Sequence, residues 1–434
     1  MNQHPLVLIT IAFFLVFCAE VKAQWINGQP AQFVIGQPDF TSNGPNLTQN
    51  GMDDPEGIAV DLIHKKVYLA DGNDNRILRY SIPIKGNQPD AEIVFGQVDF
   101  TSDQIATTAN GLNDPRGVWV DLEGRLWVAD YGNNRVIWFD KAYEIDHNQP
   151  TADGVLGQPN FTSNNSNLTQ NGFYGPCDLV TDHAGNLWVV DSRNHRILRF
   201  DAAVTKKPND PANGVIGQTT FTSNVAQTTQ DGFNDPEGIA ISTSGAIWVT
   251  DDNNARILRF DDALSKPNGA LADGVLGQAD FTSNIEQTTA AGMRGASGLY
   301  IDCVDNLYAI DKGSERVLIY ENAAAKSNGA PADYVLGQPD FTTQGSNLSS
   351  SGLNFTATSG VTGAGNQLLI VDALNKRVVV QATNFALATP QLCGLPLMKV
   401  KPIPTMSEWG LIIFGLLVLN LSVFYVKQIE ITEV

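Results

Sequence analysis

The sequence predicts an all-β fold, a six-bladed β-propeller, and two observations carry that prediction. The first is a repeat: Gly-Gln recurs six times at intervals of 60 or 61 residues, and a Phe-Thr pair follows each copy at a near-constant distance. The second is that each repeat contains four short strand-like segments separated by turn residues, with no helical period outside the termini. Four strands repeated six times indicate a ring of sheets, each sheet one blade. The six glycines are Gly36, Gly96, Gly157, Gly217, Gly277 and Gly337.

The first repeat illustrates the four strands, which we name a to d. Strand a is predicted at Gly57–Asp61, strand b at Val67–Asp71, strand c at Arg76–Tyr80 and strand d at Ile93–Gly96. Strands a and b end in Asp, whereas strand d ends in Gly-Gln. Since strands alternate in direction, the d–a loops and the b–c turns should share one face, which we call the top. The a–b turns and c–d loops should form the bottom face.

Strand counting predicts how the ring closes. The first Gly-Gln precedes any strand a, and the last strand c, Arg377–Val380, has no strand d after it. The count balances only if Gln32–Gly36 completes the last blade. An N-terminal strand is therefore expected to close the ring and remove its open edges.

Composition excludes several functional classes. The 434 residues carry 46 Asp and Glu against 27 Lys and Arg, a net charge of −19. That balance repels phosphate, so we expect no nucleic-acid partner. Four cysteines are too few for a disulfide framework. The sequence contains no Gly-x-Ser-x-Gly, P-loop or Cys-x-x-Cys motif and its histidines are scattered, so we expect no catalytic residues, no cofactor and no metal, with calcium alone left open.

The two termini predict export. An apolar run from Leu6 to Ala19, followed by Val21-Lys22-Ala23, is typical of a signal peptide over residues 1–23. At the other end, the 18 uncharged residues 409–426 are long enough, at about 27 Å, for a transmembrane helix. We place the propeller at residues 24–384, a linker at 385–402 and a C-terminal segment at 403–434.

The C-terminal segment resembles a known class of sorting signal. Pro404, Thr405, Ser407, Glu408, Trp409 and Gly410 form the Pro-Thr-x-Ser-Glu-Trp-Gly box of IPTL-type signals of Gram-negative bacteria. The resemblance implies an exosortase-like sorting enzyme as partner, transient anchoring in the membrane by the C-terminal helix, and delivery to the cell surface or outer envelope. A plain C-terminal membrane anchor is the alternative.

The repeats resemble a known family as well. Asp-Pro-x-Gly-hydrophobic-x-hydrophobic-Asp, as in Asp114–Asp121, is followed by Leu-Trp-Val-x-Asp at Leu126–Asp130 and by Asn134-Arg135-Val136. This pattern is similar to the NHL repeat over about residues 32 to 382. The resemblance implies a propeller used for binding RNA or protein or, among relatives, an extracellular lyase or lactonase. Repeats five and six depart from it, because Asp-Pro is lost there.

An Asp after strand b and an Arg at the start of strand c occur in all six repeats. Two interpretations stand: a ring of acid–base pairs that binds a ligand, or a structural ion pair that holds each b–c turn. Sixfold identity favours the structural interpretation, because a site usually breaks symmetry. The pairs are Asp71–Arg76, Asp130–Arg135, Asp191–Arg196, Asp251–Arg256, Asp311–Arg316 and Asp372–Arg377.

One position does break the symmetry: the residue before the glycine that opens strand a. Around the ring it reads Glu56, Arg116, Cys177, Glu237, Ser297 and Ser359. We expect this position at the mouth of the central channel on the top face. Glu56, Arg116, Cys177 and Glu237 are the predicted binding residues, and an empty solvated rim is the alternative.

The sequence therefore predicts an exported, surface-delivered propeller that binds a protein or a glycan at the cell envelope through its top face. The rival hypothesis is a metal-dependent extracellular lyase or lactone hydrolase at the channel mouth, near Glu56 and Glu237. Catalysis stays open, with a non-enzymatic binding module favoured.

Overall fold

The structure is a computed structural model that describes residues 25–356, 358–387 and 393. The predicted signal peptide, nearly all of the linker and the sorting signal with its transmembrane helix lie outside these residues. Within the described ranges, no helix is both long enough and apolar enough to cross a bilayer.

Six antiparallel four-stranded sheets are arranged as blades, which confirms the predicted all-β propeller. The first strands of successive blades contact one another around a central axis. Strand β1 (Phe33–Ile35) precedes the first blade in the chain. The other strands, by blade, are β2 (Pro55–Asp61), β3 (Lys66–Asp71), β4 (Arg76–Ser81) and β5 (Ile93–Phe95); β6 (Pro115–Val120), β7 (Leu126–Asp130), β8 (Arg135–Phe139) and β9 (Gly154–Leu156); β10 (Pro176–Thr181), β11 (Leu187–Asp191), β12 (Arg196–Phe200) and β13 (Gly214–Ile216); β14 (Pro236–Ile241), β15 (Ile247–Asp251), β16 (Arg256–Phe260) and β17 (Gly274–Leu276); β18 (Ala296–Ile301), β19 (Leu307–Asp311), β20 (Arg316–Tyr320) and β21 (Tyr334–Leu336); and, for blade 6, β22 (Val361–Gly363), β23 (Gly365–Asp372) and β24 (Arg377–Leu387).

Short 3-10 turns are the helical elements of the described ranges. Five follow strand b in blades 2 to 6, and three lie in the c–d loops of blades 3 to 5. They are Tyr131–Asn133, Ser192–Asn194, Asp252–Asn254, Lys312–Ser314 and Ala373–Asn375, and then Ala203–Thr205, Ala263–Ser265 and Ala323–Ala325.

Ring closure follows the strand count. β1 pairs antiparallel with β24, with Phe33 opposite Val380 and Ile35 opposite Val378, so the order of blade 6 is β1-β24-β23-β22. The backbone N–H of Gln32 donates to the carbonyl of Val380. β24 continues to Leu387, past the expected end of the domain at residue 384.

The hydrophobic core lies between the blades. Each core cluster joins residues of two neighbouring sheets; Trp127 of blade 2, for example, packs with Leu198 and Phe200 of blade 3. Trp127, Trp188 and Trp248 occupy the same position of strand b in successive blades and are fully buried. Because every sheet packs on both neighbours, the ring is a rigid scaffold for the loops at its two faces.

A disulfide joins the C-terminal chain to the bottom face. Cys303 lies in the a–b turn of blade 5 and is bonded to Cys393, with the two Cα atoms 5.6 Å apart. Trp25 reinforces this corner, since its ring packs edge-on against Tyr308 and Phe385. Cys177 is a free thiol, buried far from this bond. The sequence analysis did not foresee the disulfide, because Cys393 lies outside the repeats.

Candidate functional site

The six Asp–Arg pairs are completely buried at the top of the blades. In every pair the Arg Nε donates to the Asp Oδ2 at 2.6 to 2.9 Å. The other guanidinium nitrogens donate to backbone carbonyls of two loops: Arg76, for example, reaches Gly51 in the preceding d–a loop and Phe100 in the following one. Each arginine therefore joins two successive d–a loops. Because all three guanidinium nitrogens of each arginine donate to the scaffold, the pairs are structural.

The Gln of each Gly-Gln has a structural role that the sequence analysis missed. Its side-chain amide donates both to the residue before the strand-c arginine and to the following d–a loop. In blade 1, Gln97 Nε2 donates to Asn75 O and Gln104 O, each at 2.9 Å. The long top loops are thus bonded to the b–c turns, and the top face is ordered.

The symmetry-breaking position before strand a lies in a β-bulge. The a–b register shifts between Pro55 and Ile58, and the same shift recurs in blades 2 to 5. A bulge turns the extra side chain out of the strand and often marks a site. The bulge therefore turns the side chains of Glu56 and its equivalents away from the regular alternation of strand a.

These residues are mostly buried, whereas a solvent-exposed rim was the expectation. Glu56 is 3% exposed, Glu237 6% and Cys177 2%, and only Arg116 is partly exposed. The glycines that follow bring the first strands of neighbouring blades close together: a Cβ on Gly57 would lie 2.3 Å from the carbonyl oxygen of Arg116 in the next blade. The first strands enclose a central cavity of about 50 Å³, which Cys177 and Glu237 line. The expected channel mouth is therefore narrow and lined by buried side chains.

Asp178 interrupts the glycine ring. The other five blades have Gly57, Gly117, Gly238, Gly298 and Gly360 at this position. The two carboxylate oxygens of Asp178 accept the backbone N–H groups of Leu179 and Ile239, at 2.8 and 2.9 Å. Burial raises the pKa of Asp178 to about 7. This carboxyl also lines the central cavity. Sequence reasoning missed it, although its departure from glycine in one repeat was the available signal.

Cys177 packs against the backbone of blade 4. Its Sγ lies 3.2 Å from the carbonyl oxygen of Glu237 and 3.6 Å from that of Pro236. Burial raises the pKa of the thiol well above its usual value. The predicted binding role of Cys177 therefore has no support in its surroundings, since a buried, protonated thiol is inert.

Glu56 and Arg116 face each other at the junction of blades 1 and 2. Arg116 Nε lies 3.5 Å from Glu56 Oε2, which also accepts the hydroxyl of Thr358. Burial raises the pKa of Glu56 to about 8, although the charge of Arg116 opposes the shift. For Arg116, burial alone would lower the pKa, but the carboxylates of Glu56 and Asp114 outweigh it and raise the pKa. The opposite charges of Glu56 and Arg116 therefore offset part of the cost of burying each other.

Glu237 belongs to a separate acidic group at blades 4 and 5. Carboxylate oxygens of Asp235, Glu237 and Asp252 lie within 4.8 Å of one another. Glu237 Oε2 is buried without a hydrogen-bond partner among the described residues, and burial raises the pKa of Glu237 well above its usual value. Lys312 Nζ, from blade 5, bonds to Asp252 Oδ2 at 2.6 Å and supplies the positive charge.

An aromatic and cationic group lies beside this acidic one, at blades 2 and 3. The guanidinium of Arg116 stacks 3.5 Å from the ring centre of Tyr131. Arg193 lies 5.5 Å from the rings of Tyr131 and Tyr174, and its Nε donates to the Tyr131 hydroxyl at 2.6 Å. We call Arg116, Tyr131, Tyr174 and Arg193 the platform. Tyr174 is 41% exposed, so the platform reaches the solvent.

Sequence reasoning found Arg116 but missed the other members of the platform. Tyr131 and Arg193 lie in the b–c turns, between the invariant Asp and Arg that drew attention as a pair. At the first turn position the six blades carry Gly72, Tyr131, Ser192, Asp252, Lys312 and Ala373. That variation was a visible signal, since it also contains Asp252 of the acidic group and Lys312, which bonds to it.

His195 remains without a chemical role. Its Nδ1 accepts the backbone N–H of Asp235 at 2.9 Å, and burial lowers its pKa. A neutral imidazole that fixes the loop before Glu237 is a structural element. The bottom face holds His183 between two shallow grooves, with Trp188 and Leu264 in one of them.

The fold defines this chain as a six-bladed propeller. Residues 233–260 match the NHL repeat family. Residues 29–165 match the SMP-30/gluconolactonase/LRE-like region. A search of curated proteins found no significant match.

Three of the solved structures that this chain matches at low identity are as follows. A gluconolactonase from Xanthomonas campestris is 14% identical, with a TM-score of 0.44, covering 82% of this chain and 99% of that one. Virginiamycin B lyase from Staphylococcus aureus is 14% identical, with a TM-score of 0.42, covering 77% and 97%. A nidogen/laminin complex is 18% identical, with a TM-score of 0.39, covering 65% and 83%.

Proposed function

We propose that this chain is an exported propeller that binds a glycan or a protein of the cell envelope through its top face. The observation that supports it is the local loss of symmetry around the platform. All six blades repeat the same buried Asp–Arg pairs and Gln hydrogen bonds, and the platform adds four large side chains that differ from most of their equivalents and are held by one another. Side chains already fixed before binding lose little entropy on binding.

The tail supports the same proposal from the sequence. A signal peptide at residues 1–23 and the sorting box at 403–410 would deliver the propeller to the cell surface, with an exosortase-like enzyme and a C-terminal membrane helix as intermediates. The Cys303–Cys393 bond is in keeping with this proposal, because disulfides form and persist outside the cytosol.

Binding of surface glycans and purified envelope proteins to the intact protein tests the proposal. We expect Tyr174→Ala to abolish binding, because it removes the exposed ring of the platform. His183→Ala, on the bottom face, is the control and should bind like the natural protein. Retained binding in Tyr174→Ala, or an equal loss in the His183 variant, would contradict a top-face site.

A second candidate function is a metal-dependent lyase or lactone hydrolase. The orphaned, buried Glu237 Oε2 favours it, because Asp235, Glu237 and Asp252 present the hard oxygen ligands that Ca²⁺ or Mg²⁺ prefers. A bound ion would polarise a carbonyl or carboxylate of the substrate. Lys312 already bonds to Asp252 and would have to be displaced, so we rank this function second.

Elemental analysis and activity together separate the two candidates. Stoichiometric calcium, lost in Glu237→Gln together with lactone hydrolysis, would establish the enzyme. Ligand binding that continues in the presence of a chelator, with no turnover of lactones, would establish the binding module.

A further inference from the structure

We propose that the platform recognises a saccharide that carries one carboxylate group, with Arg193 binding the carboxylate and Tyr174 stacking on the sugar ring. This inference rests on the proposed top-face binding function and names its ligand class. It follows from the terminal N–H groups of Arg193, from the exposure of Tyr174 and from the charge of the surrounding surface.

Arg193 is positioned as an anion receptor. Its Nε donates to the Tyr131 hydroxyl, and its backbone N–H donates to the carbonyl of Tyr174. Its two terminal nitrogens have no partner within the described ranges of the chain. A guanidinium fixed at Nε, with both terminal nitrogens available, matches the two oxygens of a planar carboxylate.

Blade 3 is built to make room for this arginine. Position 175 is Gly, where blades 1, 2 and 4 have Asp54, Asp114 and Asp235. A Cβ at Gly175 would lie 2.8 Å from Cε2 of Tyr131 and 3.1 Å from Cδ of Arg193. Two departures from the repeat, Gly175 and Arg193, are therefore complementary in space.

Tyr174 supplies a flat apolar surface with a polar end. Its backbone N–H is held by the buried Asp191 Oδ1 at 2.7 Å, so its position is fixed by the scaffold. The aliphatic C–H face of a pyranose ring stacks on such a ring, and the phenol hydroxyl remains available for a sugar hydroxyl. The exposed Asn- and Ser-rich segment 164–167 lies against the same turn, because Asn194 Nδ2 donates to Asn167 O at 3.2 Å. Amides and hydroxyls of this kind match sugar hydroxyls.

The surrounding charge limits the ligand to a single carboxylate. Asp235 lies next to the platform, bonded to Ser192 Oγ at 2.6 Å, and the whole chain carries a net charge of −19. One unpaired arginine compensates one negative charge, whereas a polyanion would meet the acidic group and be repelled. Nucleic acids and polyuronates are therefore disfavoured relative to a sugar with one terminal acid.

Calorimetric titration of the intact protein tests the proposal with matched probes. The probes are disaccharides ending in a gluco-, galacto- or mannuronate, each compared with its neutral counterpart, and polygalacturonate. We expect at least one uronate disaccharide to bind about tenfold or more tightly than its neutral counterpart, since a charge-assisted hydrogen bond contributes this much. Polygalacturonate should bind more weakly per residue.

Variants assign the effect to the two side chains. Arg193→Gln should remove the preference for the uronate and leave weak binding of the neutral sugar. Tyr174→Ala should weaken both, and Tyr174→Phe should restore stacking. The control is Arg294→Gln, which removes the same charge from another part of the top face, where Arg294 Nη1 bonds to Gln344.

Two results would overturn the proposal. One is that no uronate binds better than its neutral counterpart; the other is that Arg193→Gln and Arg294→Gln weaken binding equally, which would indicate a long-range charge effect. If neutral glycans or a protein still bind the top face in a Tyr174-dependent way, the binding function stands and only the carboxylate specificity fails. If nothing binds there, both fail.

Discussion

Arg377 Nη1 donates to the carbonyl oxygen of Phe40 at 2.7 Å, across 337 positions of sequence. The five other arginines make the same bond to a phenylalanine that follows them by 24 to 26 positions in the sequence. Arg377 instead makes it to a phenylalanine near the start of the propeller. The bond therefore joins the two ends of the ring on the top face, while β1 and β24 join them through the sheet.

Replacing Arg377 should destabilise the whole propeller. Arg377→Met leaves the carboxylate of Asp372 buried without its partner, and such losses cost about 3–5 kcal/mol. Urea unfolding of the intact protein measures the difference. Arg294→Met, at a partly exposed arginine on the same face, should cost much less, about 1 kcal/mol or below. A loss no larger than that of the control would contradict the role of the pair in holding the ring.

The repeats made much of this fold predictable, because Gly-Gln, Asp and Arg recur at constant spacing and mark equivalent points of each blade. Closure was predictable too, since it needs only a count of strands. The hydrogen bonds that Gln97 and its equivalents make to the top loops could not be predicted. A residue that recurs in every repeat marks an equivalent position, but the repeat does not show which groups the side chain contacts. Platform residues such as Arg193 were missed for a different reason: they meet across two blades, and only the packed ring brings blade 2 next to blade 3.

Asp178 should make the stability depend on pH. Its pKa is raised from 3.8 to about 7 by burial, so the folded state holds this proton more tightly than the unfolded chain. Its contribution is therefore fully present below about pH 4 and is lost as the pH rises to about 7, with a slope approaching about 1.4 kcal/mol per pH unit.

Asp178→Asn isolates that contribution. The variant loses one acceptor for a backbone N–H but has no proton to release, so its stability should fall less steeply over the same range. Other raised carboxyls, such as Glu56, act on both curves and cancel in the difference. Unfolding free energies measured at several pH values provide the comparison, and parallel curves for the two proteins would show that Asp178 does not titrate there.

The Cys303–Cys393 bond should hold the C-terminal chain to the bottom of blade 5. Cys393→Ala frees a loop with a sequence separation of 90 and should lower the free energy of unfolding by about 2–4 kcal/mol. Reductant should bring the natural protein to the level of the variant and leave the variant unchanged. Equal stability of the oxidised and reduced protein would contradict a stabilising role.

Cys177 should react with an alkylating reagent only after unfolding, because it is buried.

Lys312 supplies the positive charge beside the acidic group, and its removal should create a calcium site. Its ammonium bonds to Asp252. Burial alone would lower the pKa of Lys312, but the charges of Glu237 and Asp252 outweigh burial and raise the pKa. In Lys312→Ala, the acidic group loses the counter-charge that is bonded to it, so the variant should be less stable and should bind Ca²⁺ at least about tenfold more tightly. Binding to the folded state then restores stability by mass action.

Thermal unfolding with and without calcium measures this exchange. The Lys312→Ala variant should gain stability with added calcium, and a second change, Glu237→Gln, should abolish the gain because it removes the unpartnered oxygen. Lys376→Ala is the control, since Lys376 pairs with Asp53 elsewhere on the top face. If calcium stabilises the natural protein as much as it stabilises the Lys312 variant, then calcium binds to the acidic group even when Lys312 is present. The acidic group would then be a metal site in its own right, and the lyase or lactonase hypothesis would move ahead of the binding module.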